Sequence, residues 1–379
     1  MNKSQKKLDS VRKLMAQKNI DLAIFGTGPN LQYLTESDID WRRFTDLGNV
    51  TTSFFVPLEG QPTLLAGPFA HTEKEMQFEV RNLEVFEEID PVINKILTRT
   101  TNSPSRIAID PYTNGSIILS INKHRGRAEI VSTDGMLDGM RAIKDSEEIN
   151  HLRSVAELTD TVMREVVQEI EEGDTMNEIN LKIETLGREY GASDISFPST
   201  AGFCKSGKGK PDQIFNYEDD EGLEKGTSIA FDVGFVQSGY CSDWGRSFYF
   251  GNPPKHIEKA YSTLMQAVTE TIDAIGKEVH KTNEIFPYIE QVCEREGYGE
   301  YLRNRHPDGV VGHQIGVEVH ENPWLRPESN HELQDGMVLC IEPKLLSENH
   351  FYIRVEDMVY IKDGSAESLT QYDREQFGI

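Results

Sequence analysis

Four acidic residues stand inside the most apolar, β-rich stretches of this 379-residue chain, and they constrain its fold more than any other feature. The runs TSIAFDVGFV (227–236) and YCSDWGRSFYF (240–250) are separated by a very short turn, as in a hairpin. Centred between Gln237 and Ser238, that hairpin places Asp232 opposite Asp243, with Cβ atoms about 5 Å apart on one face. MVLCIEPKLL (337–346) and FYIRVEDMVYI (351–361) flank the turn-like SENH, and a hairpin centred on Asn349 places Glu342 opposite Glu356. Free carboxylates on buried strand faces cost several kcal/mol each without a partner. Arg246 and Arg354 are too few to neutralise four acids plus the adjacent Asp357, so cations must come from outside the chain. Hard oxygen ligands with one or two imidazoles suit Mn²⁺, Fe²⁺, Co²⁺ or Zn²⁺, and two ions are implied where at least two carboxylates can bridge. The segment VVGHQIGVEVHENPWL supplies the imidazoles, with His313 in a glycine-flanked turn and His320 just before Glu321.

These hairpins belong to a duplicated second half. Asn177-Glu178-Ile179, Ile183-Glu184 and Gly191 recur as Asn283-Glu284-Ile285, Ile289-Glu290 and Gly297, each at an offset of 106. Each copy follows an amphipathic helical stretch (about 147–171 and about 255–277) and precedes strand-like sequence. Two helix-helix-strand-strand units would set equivalent strands side by side in one sheet, with helices on one face. Asp145 and Glu148 form a capping box that opens this half, with a boundary near Ile143. Before it, the apolar runs DLAIFG, TTSFFVPL, PTLLAG, LEVFEEI and RIAID alternate with helical stretches and predict an α/β domain. GTGPN (26–30) lacks the spacing of a phosphate loop.

Charge narrows the partners. Against 63 Asp and Glu the chain has 39 Lys and Arg, a formal net charge of −24. Phosphate backbones and anionic lipid would repel it, which excludes nucleic acid and membrane surfaces as expected partners. The four cysteines have no C-x-x-C spacing, no run approaches a membrane span, and the N-terminus lacks a signal-peptide core. A cytoplasmic protein is expected.

At these residues the sequence resembles the M24 metallopeptidases of the pita-bread fold: methionine aminopeptidase, aminopeptidase P, prolidase (Xaa-Pro dipeptidase) and the related creatinase. KDSEEINHLR, SFPST, FDVGFVQSGYCSDWGRSF, GHQIGVEVHENP, GMVLCIEP and IRVEDMVYI carry the resemblance over 144–379, and NIDLAIF and NLQYLT carry a looser one over 1–143. It implies a creatinase-type α/β N-terminal domain (1–143) and an α+β pita-bread catalytic domain (144–379) with an internal pseudo-two-fold repeat. It further implies a dinuclear centre: Asp232 on the first metal, Asp243 and Glu356 bridging, His313 and Glu342 completing the second. Mn²⁺ is the first choice, with Co²⁺, Zn²⁺ or Fe²⁺ as the others. A hydroxide held between the metals would attack a small peptide or peptide-like C–N bond, Glu342 would take the proton, His320 would contact substrate, and Arg354 would orient carboxylates. A homodimer acting on a small peptide or small molecule is the implied assembly.

One departure stands out. Family peptidases usually carry another histidine before the first metal-binding strand, whereas FCKSGKGKPDQIFNYEDDEG (203–222) has none, leaving Lys208 as the candidate substrate contact there. Glutamine in GHQIG, where glycine is common, is a smaller one. The departure favours, as an alternative, a hydrolase or lyase of a small non-peptide substrate, creatinase-like or ectoine-hydrolase-like. A metal-free binding module on the same fold is the remaining reading, and the full ligand set argues against it.

Overall fold

Alternation of short apolar strands and helices in the first part of the chain closes into a six-stranded mixed sheet. The computed structural model describes residues 3–36, 41–42, 51–67, 78–100, 104–208, 214–303, 309–347 and 350–379. It divides into two compact units, Met1–Gly139 and Met140–Ile379. In the first, β1 (Leu22–Gly26) lies between β2 (Ser53–Pro57), antiparallel, and β5 (Arg106–Ile109), parallel. Beyond them β3 (Thr63–Ala66) and β4 (Glu79–Asn82) extend one side, and β6 (Glu129–Ser132) the other. Leu22 through Phe25 are completely buried, as expected for a strand covered on both faces. Helix α1 (Lys3–Gln17) precedes the strands, and α2 (Pro29–Thr35), α3 (Ile89–Thr100) and α4 (Gly115–Arg125) intervene between them. The run LEVFEEI is not a strand: β4 ends just before it, Glu87 N–H donates to the Glu84 carbonyl in a turn, and Phe86 is wholly exposed with φ 69°. Only Leu83 of its first residues finds a core contact, so the acidic remainder turns towards solvent.

After the short α5 (Asp138–Ala142), the Asp145 carboxylate caps α6 (Ser146–Gln168), and Glu148 returns the bond to the Asp145 N–H at 3.1 Å. The duplication is visible atom by atom. Glu178 accepts from the Thr175 N–H at 3.0 Å to start α7 (Met176–Glu189). At the offset of 106, Glu284 accepts from the Lys281 N–H at 3.0 Å before α9 (Ile285–Arg295). Both helices stop the same way, with Ala192 N–H on the Gly187 carbonyl and Tyr298 N–H on that of Cys293. Gly191 (φ 98°) and Gly297 (φ 81°) take the left-handed position those stops require.

The strands of each half bury alternate residues against their own helices. In the first half β8 (Thr200–Lys205), β9 (Thr227–Val233) and β12 (Trp244–Phe250) form a sheet, while β7 (Asp194–Ile195) pairs with the β10 (Phe235–Gln237) and β11 (Tyr240–Cys241) tip. Ile229, Phe231 and Phe248 pack on Val155, Val162, Ile179 and Ile183 of α6 and α7. In the second half β14 (Gly312–Gln314), β15 (Glu321–Leu325), β16 (Val338–Ile341), β19 (Asp357–Lys362) and β20 (Ser365–Ser368) form a five-stranded sheet. A three-stranded sheet of β13 (Leu302–Arg303), β17 (Lys344–Ser347) and β18 (Phe351–Arg354) continues from it. Leu339, Ile341, Ile353 and Val359 pack on Leu264, Val268, Ile285 and Ile289, the last four from α8 (Lys255–Ala274) and α9. Each such burial contributes about 1.5–3 kcal/mol, and the period of two sends the intervening residues to the opposite face. Asp232, Cys340 and Glu342 are among those intervening residues.

The two halves do not merge into one continuous sheet. Near the acids an antiparallel bridge joins them, with the Glu356 N–H on the Gly245 carbonyl at 2.8 Å, and a parallel bridge links Tyr249 to Gly378 further along β12. The bridge needs a bare α-carbon: a Cβ on Gly245 would lie 2.7 Å from Arg354 Nε and 3.0 Å from Glu356 Cβ. Gly245→Ala is therefore expected to destabilise the protein by about 1–3 kcal/mol, read as a lowered urea midpoint at unchanged slope.

Candidate metal centre

The acids meet where the two hairpins cross. In the first, Trp244 pairs with Val233, Gly245 with Asp232 and Gln237 with Tyr240. Asp243 is therefore diagonal to Asp232 rather than opposite it. The turn is Ser238-Gly239, both at positive φ (52° and 79°), as a two-residue type I′ turn requires to match strand twist. The sequence reading centred the turn one residue early, which shifts the register by two and so keeps both aspartates on one face. In the second hairpin Lys344 pairs with Arg354 and Ser347 with Phe351, and beyond the acids Ile341 pairs with Asp357. Glu342 and Glu356 face each other in the gap between these ladders, in the expected register, while Asn349 lies outside the described residues.

His313 enters from β14, directly across from Cys340 of β16. Its Nε2 lies 3.4 Å from Asp243 and 3.8 Å from Glu342, and its Nδ1 faces the Gln314 carbonyl at 3.0 Å. That contact orients the ring with Nε2 towards the acids. Ligand atoms of Asp243, His313, Cys340 and Glu356 all lie within 4.8 Å of one another, a spacing that one shared ion spans. Cys340 was missed by the sequence reading; its place two residues before Glu342 on an alternating strand was the available signal.

Burial and mutual repulsion leave this centre unbalanced. Desolvation, then the Asp232 charge, push the Asp243 carboxyl well above its ordinary range, and desolvation and the neighbouring acids do the same to Glu356 against the pull of Arg354. Against an opposing burial cost, Lys344 and Arg354 hold Glu342 below its usual range. Asp232 Oδ1, Asp243 Oδ1, His313 Nε2 and Glu356 Oε1 are buried without a hydrogen-bond partner. Orphaned acceptors of this kind, three carboxylates and an imidazole together, fit divalent metal ions well.

The bases divide as follows. Arg246 and Asp357, both wholly buried, pair at 2.5 Å, and Arg374 and Thr370 also reach Asp357, which removes it from the centre. Arg354 contacts Asp232, Glu356 (2.5 Å) and Glu342 (3.3 Å). Lys344, left out of the charge count above, lies 2.5 Å from Glu342. Lys208 is not brought to the centre. Its ammonium pairs with Glu221 at 2.5 Å and sits 3.8 Å over the Tyr217 ring, satisfied by neighbours in its own loop.

A cleft of about 450 Å³ opens on the acids. Asp232, Asp243, Glu342, His320, Arg354, Lys344 and Arg303 supply its polar lining, with Phe197, Ile214, Leu346 and Tyr352 as the apolar part. His320 stacks on Trp324 (5.2 Å, 29°) and meets the His313 ring edge-on at 4.5 Å. Trp324 is a second residue that sequence reasoning passed over.

The segment carrying both histidines is held from below. Glu321, buried, accepts from Arg141 at 2.6 Å and Lys144 at 3.1 Å, and Lys144 also reaches Gln314 at 3.0 Å. Against its burial, Arg141 and Lys144 hold the Glu321 carboxyl down to about 2. A depressed folded-state value means stability present above the unfolded value of 4.5 and lost as pH falls towards 2. Unfolding followed from pH 6 to pH 2 should show wild type losing about 3 kcal/mol more than Glu321→Gln over that window.

Comparison with known proteins places this geometry. Residues 150–363 match Metallopeptidase family M24, and residues 7–143 the Creatinase/Prolidase N-terminal domain. The YkvY protein of Bacillus subtilis is 31% identical over 291 residues, 75% of this chain and 76% of that one. A prolidase from Thermococcus sibiricus superposes with a TM-score of 0.83 at 25% identity over 100% of both chains. A dipeptidase from Pyrococcus horikoshii gives 0.83 at 25% identity over 98% and 99%. No helix among the described residues is long and apolar enough to cross a membrane. Buried paired acids, a facing imidazole and the duplicated fold thus come together in a chain that belongs to the M24 metallopeptidase family, with a creatinase-type N-terminal domain.

Proposed function

We propose that this protein is a dinuclear metal-dependent dipeptidase of the Xaa-Pro type. The orphaned, buried acceptors of Asp232, Asp243, His313 and Glu356 at the end of a dipeptide-sized cleft carry the reading. Asp232, Asp243, His313, Glu342 and Glu356 would hold the two ions. Mn²⁺ is the proposed metal, ahead of Co²⁺, Zn²⁺ and Fe²⁺. When bound, such ions polarise a scissile carbonyl and make water a nucleophile near neutral pH.

The chain's own groups do the rest. Glu342, kept ionised by Lys344 and Arg354, is the base that receives the attacking water's proton. His320, fixed by Trp324, faces the cleft and donates to oxygen charge developing on the substrate. Arg354 spans three carboxylates and keeps them in place for the metals. Residues 144–379 carry this activity, with 1–143 as the separate N-terminal domain. A cytoplasmic setting is proposed, supported by four cysteines that are all buried and free of disulfides, and a homodimer is the proposed assembly.

Metal-depleted protein should bind two Mn²⁺ per chain by calorimetry, and at a hundredfold excess over Kd each ion adds about 2.7 kcal/mol to unfolding stability. Asp243→Ala should lose at least one ion and reduce kcat/KM on alanyl-proline by about 10³-fold or more. The missing histidine in 203–222 supports a second reading, hydrolysis of a small non-peptide amide. Loaded protein that leaves every Xaa-Pro dipeptide intact but turns over such amides would replace the first reading with the second.

A further inference from the structure

Directly across the ladder from His313 stands a donor that the ligand set above leaves unused. Cys340 of β16 pairs with His313 of β14, so the two side chains leave one sheet face together. It lies two residues before Glu342 on an alternating strand, which turns both towards the acids. Its side chain is completely buried. Sγ and one ligand atom each from Asp243, His313 and Glu356 all fall within 4.8 Å of one another. Donors held about 2.0–2.3 Å from one ion stand roughly 3.5–4 Å apart, so small side-chain shifts let the four share it. Among the described residues no other cysteine belongs to such a group. Cys241 instead donates to the Val317 carbonyl at 3.4 Å, and Cys293 packs in the helix-backed core.

The atoms around the sulfur point to an ion independently of it. Asp243 Oδ1, His313 Nε2 and Glu356 Oε1 are buried without a hydrogen-bond partner, on side chains no more than 3% exposed. Charge then favours a further anionic donor. The four candidate acids and the two bases against them, Lys344 and Arg354, carry two formal negative charges, and two divalent ions turn that into two positive. A coordinating thiol gives up its proton to the ion it binds, and a thiolate here would halve the surplus.

We propose that Cys340 is a sulfur ligand to one of the two ions, so that the place it shares with Asp243, His313 and Glu356 selects a thiophilic divalent ion, Zn²⁺ or Co²⁺, over Mn²⁺. The proposal rests on the metal-centre reading above and refines its choice of metal at one place, Mn²⁺ remaining the choice at the other. Mixed sulfur, nitrogen and oxygen donors suit the softer ions, whereas oxygen donors alone suit Mn²⁺. On ligation the sulfur–metal bond replaces the S–H bond, the proton passes to solvent, and nothing is oxidised or reduced.

The test titrates metal-depleted wild type, Cys340→Ser and Cys340→Ala with Co²⁺. A sulfur-to-Co²⁺ charge-transfer band in the near ultraviolet should rise with the first ion bound to wild type and be missing from both variants. Zn²⁺ outcompetes Mn²⁺ to some degree at any site of this kind, so selectivity is read as a change: the preference for Zn²⁺ over Mn²⁺ should fall about tenfold or more in each variant. The band in wild type requires no variant, so a substitution that fails to fold leaves the test standing. Two ions bound by wild type with no band, a band that persists in both variants, or a Zn²⁺ preference equal in all three proteins would overturn the sulfur ligand and leave the peptidase reading intact. A band lost in both variants, together with no cleavage of any Xaa-Pro dipeptide, would remove the peptidase reading and leave the sulfur ligand. Wild type that binds no divalent ion would overturn both.

Discussion

Removing four carboxylates from water is the constraint around which this structure is arranged. Charges so close in a dry site cannot all remain ionised unless cations stand among them. The fold spends its ordinary means, alternation along strands and helix-backed sheets, on bringing those acids together rather than apart. Ile229, Phe231, Leu339 and Ile341 hold the strands down on the helices, and Asp232, Cys340 and Glu342 emerge on the other side. The duplicated capping of α7 and α9 relates the halves, and the backbone bridge at Gly245 joins them beside the acids.

Around the centre the neighbouring acids have been given partners of their own. Arg246 withdraws Asp357, although it is adjacent to Glu356 in sequence. Arg141 and Lys144 withdraw Glu321, although it is adjacent to His320. Buried pairs of this kind gain little stability over apolar packing. Their effect is selective: the acids left over are those with no sufficient base, and these are the proposed metal ligands.

The cleft inherits a gradient from that arrangement. Its inner end is acidic and metal-directed, its wall on β13, β17 and β18 basic, and the next row apolar. One sheet thereby supplies both the base that tunes Glu342 and a wall of the cleft.

By itself the sequence determined the acids, the imidazole, the duplication and the parity of both hairpins, because each is a local pattern: alternation of two, capping at fixed spacing, turn residues between strands. Parity survived even where the turn was placed one residue early, since Asp232 and Asp243 stay on one face under a shift of two. Only the tertiary structure decided which bases reach which acids. Lys344 stands two residues from Glu342 and lies against it, while Lys208, offered by the sequence for the cleft, is held by Glu221 and Tyr217 instead. Cys340 and Trp324 joined the site because neighbouring strands and ring contacts put them beside His313 and His320, and the Arg303–Lys344–Arg354 row exists only once three separate strands are paired. Pairing between distant segments sets those distances, and charge interactions depend on distance and burial, neither of which a spacing along the chain contains.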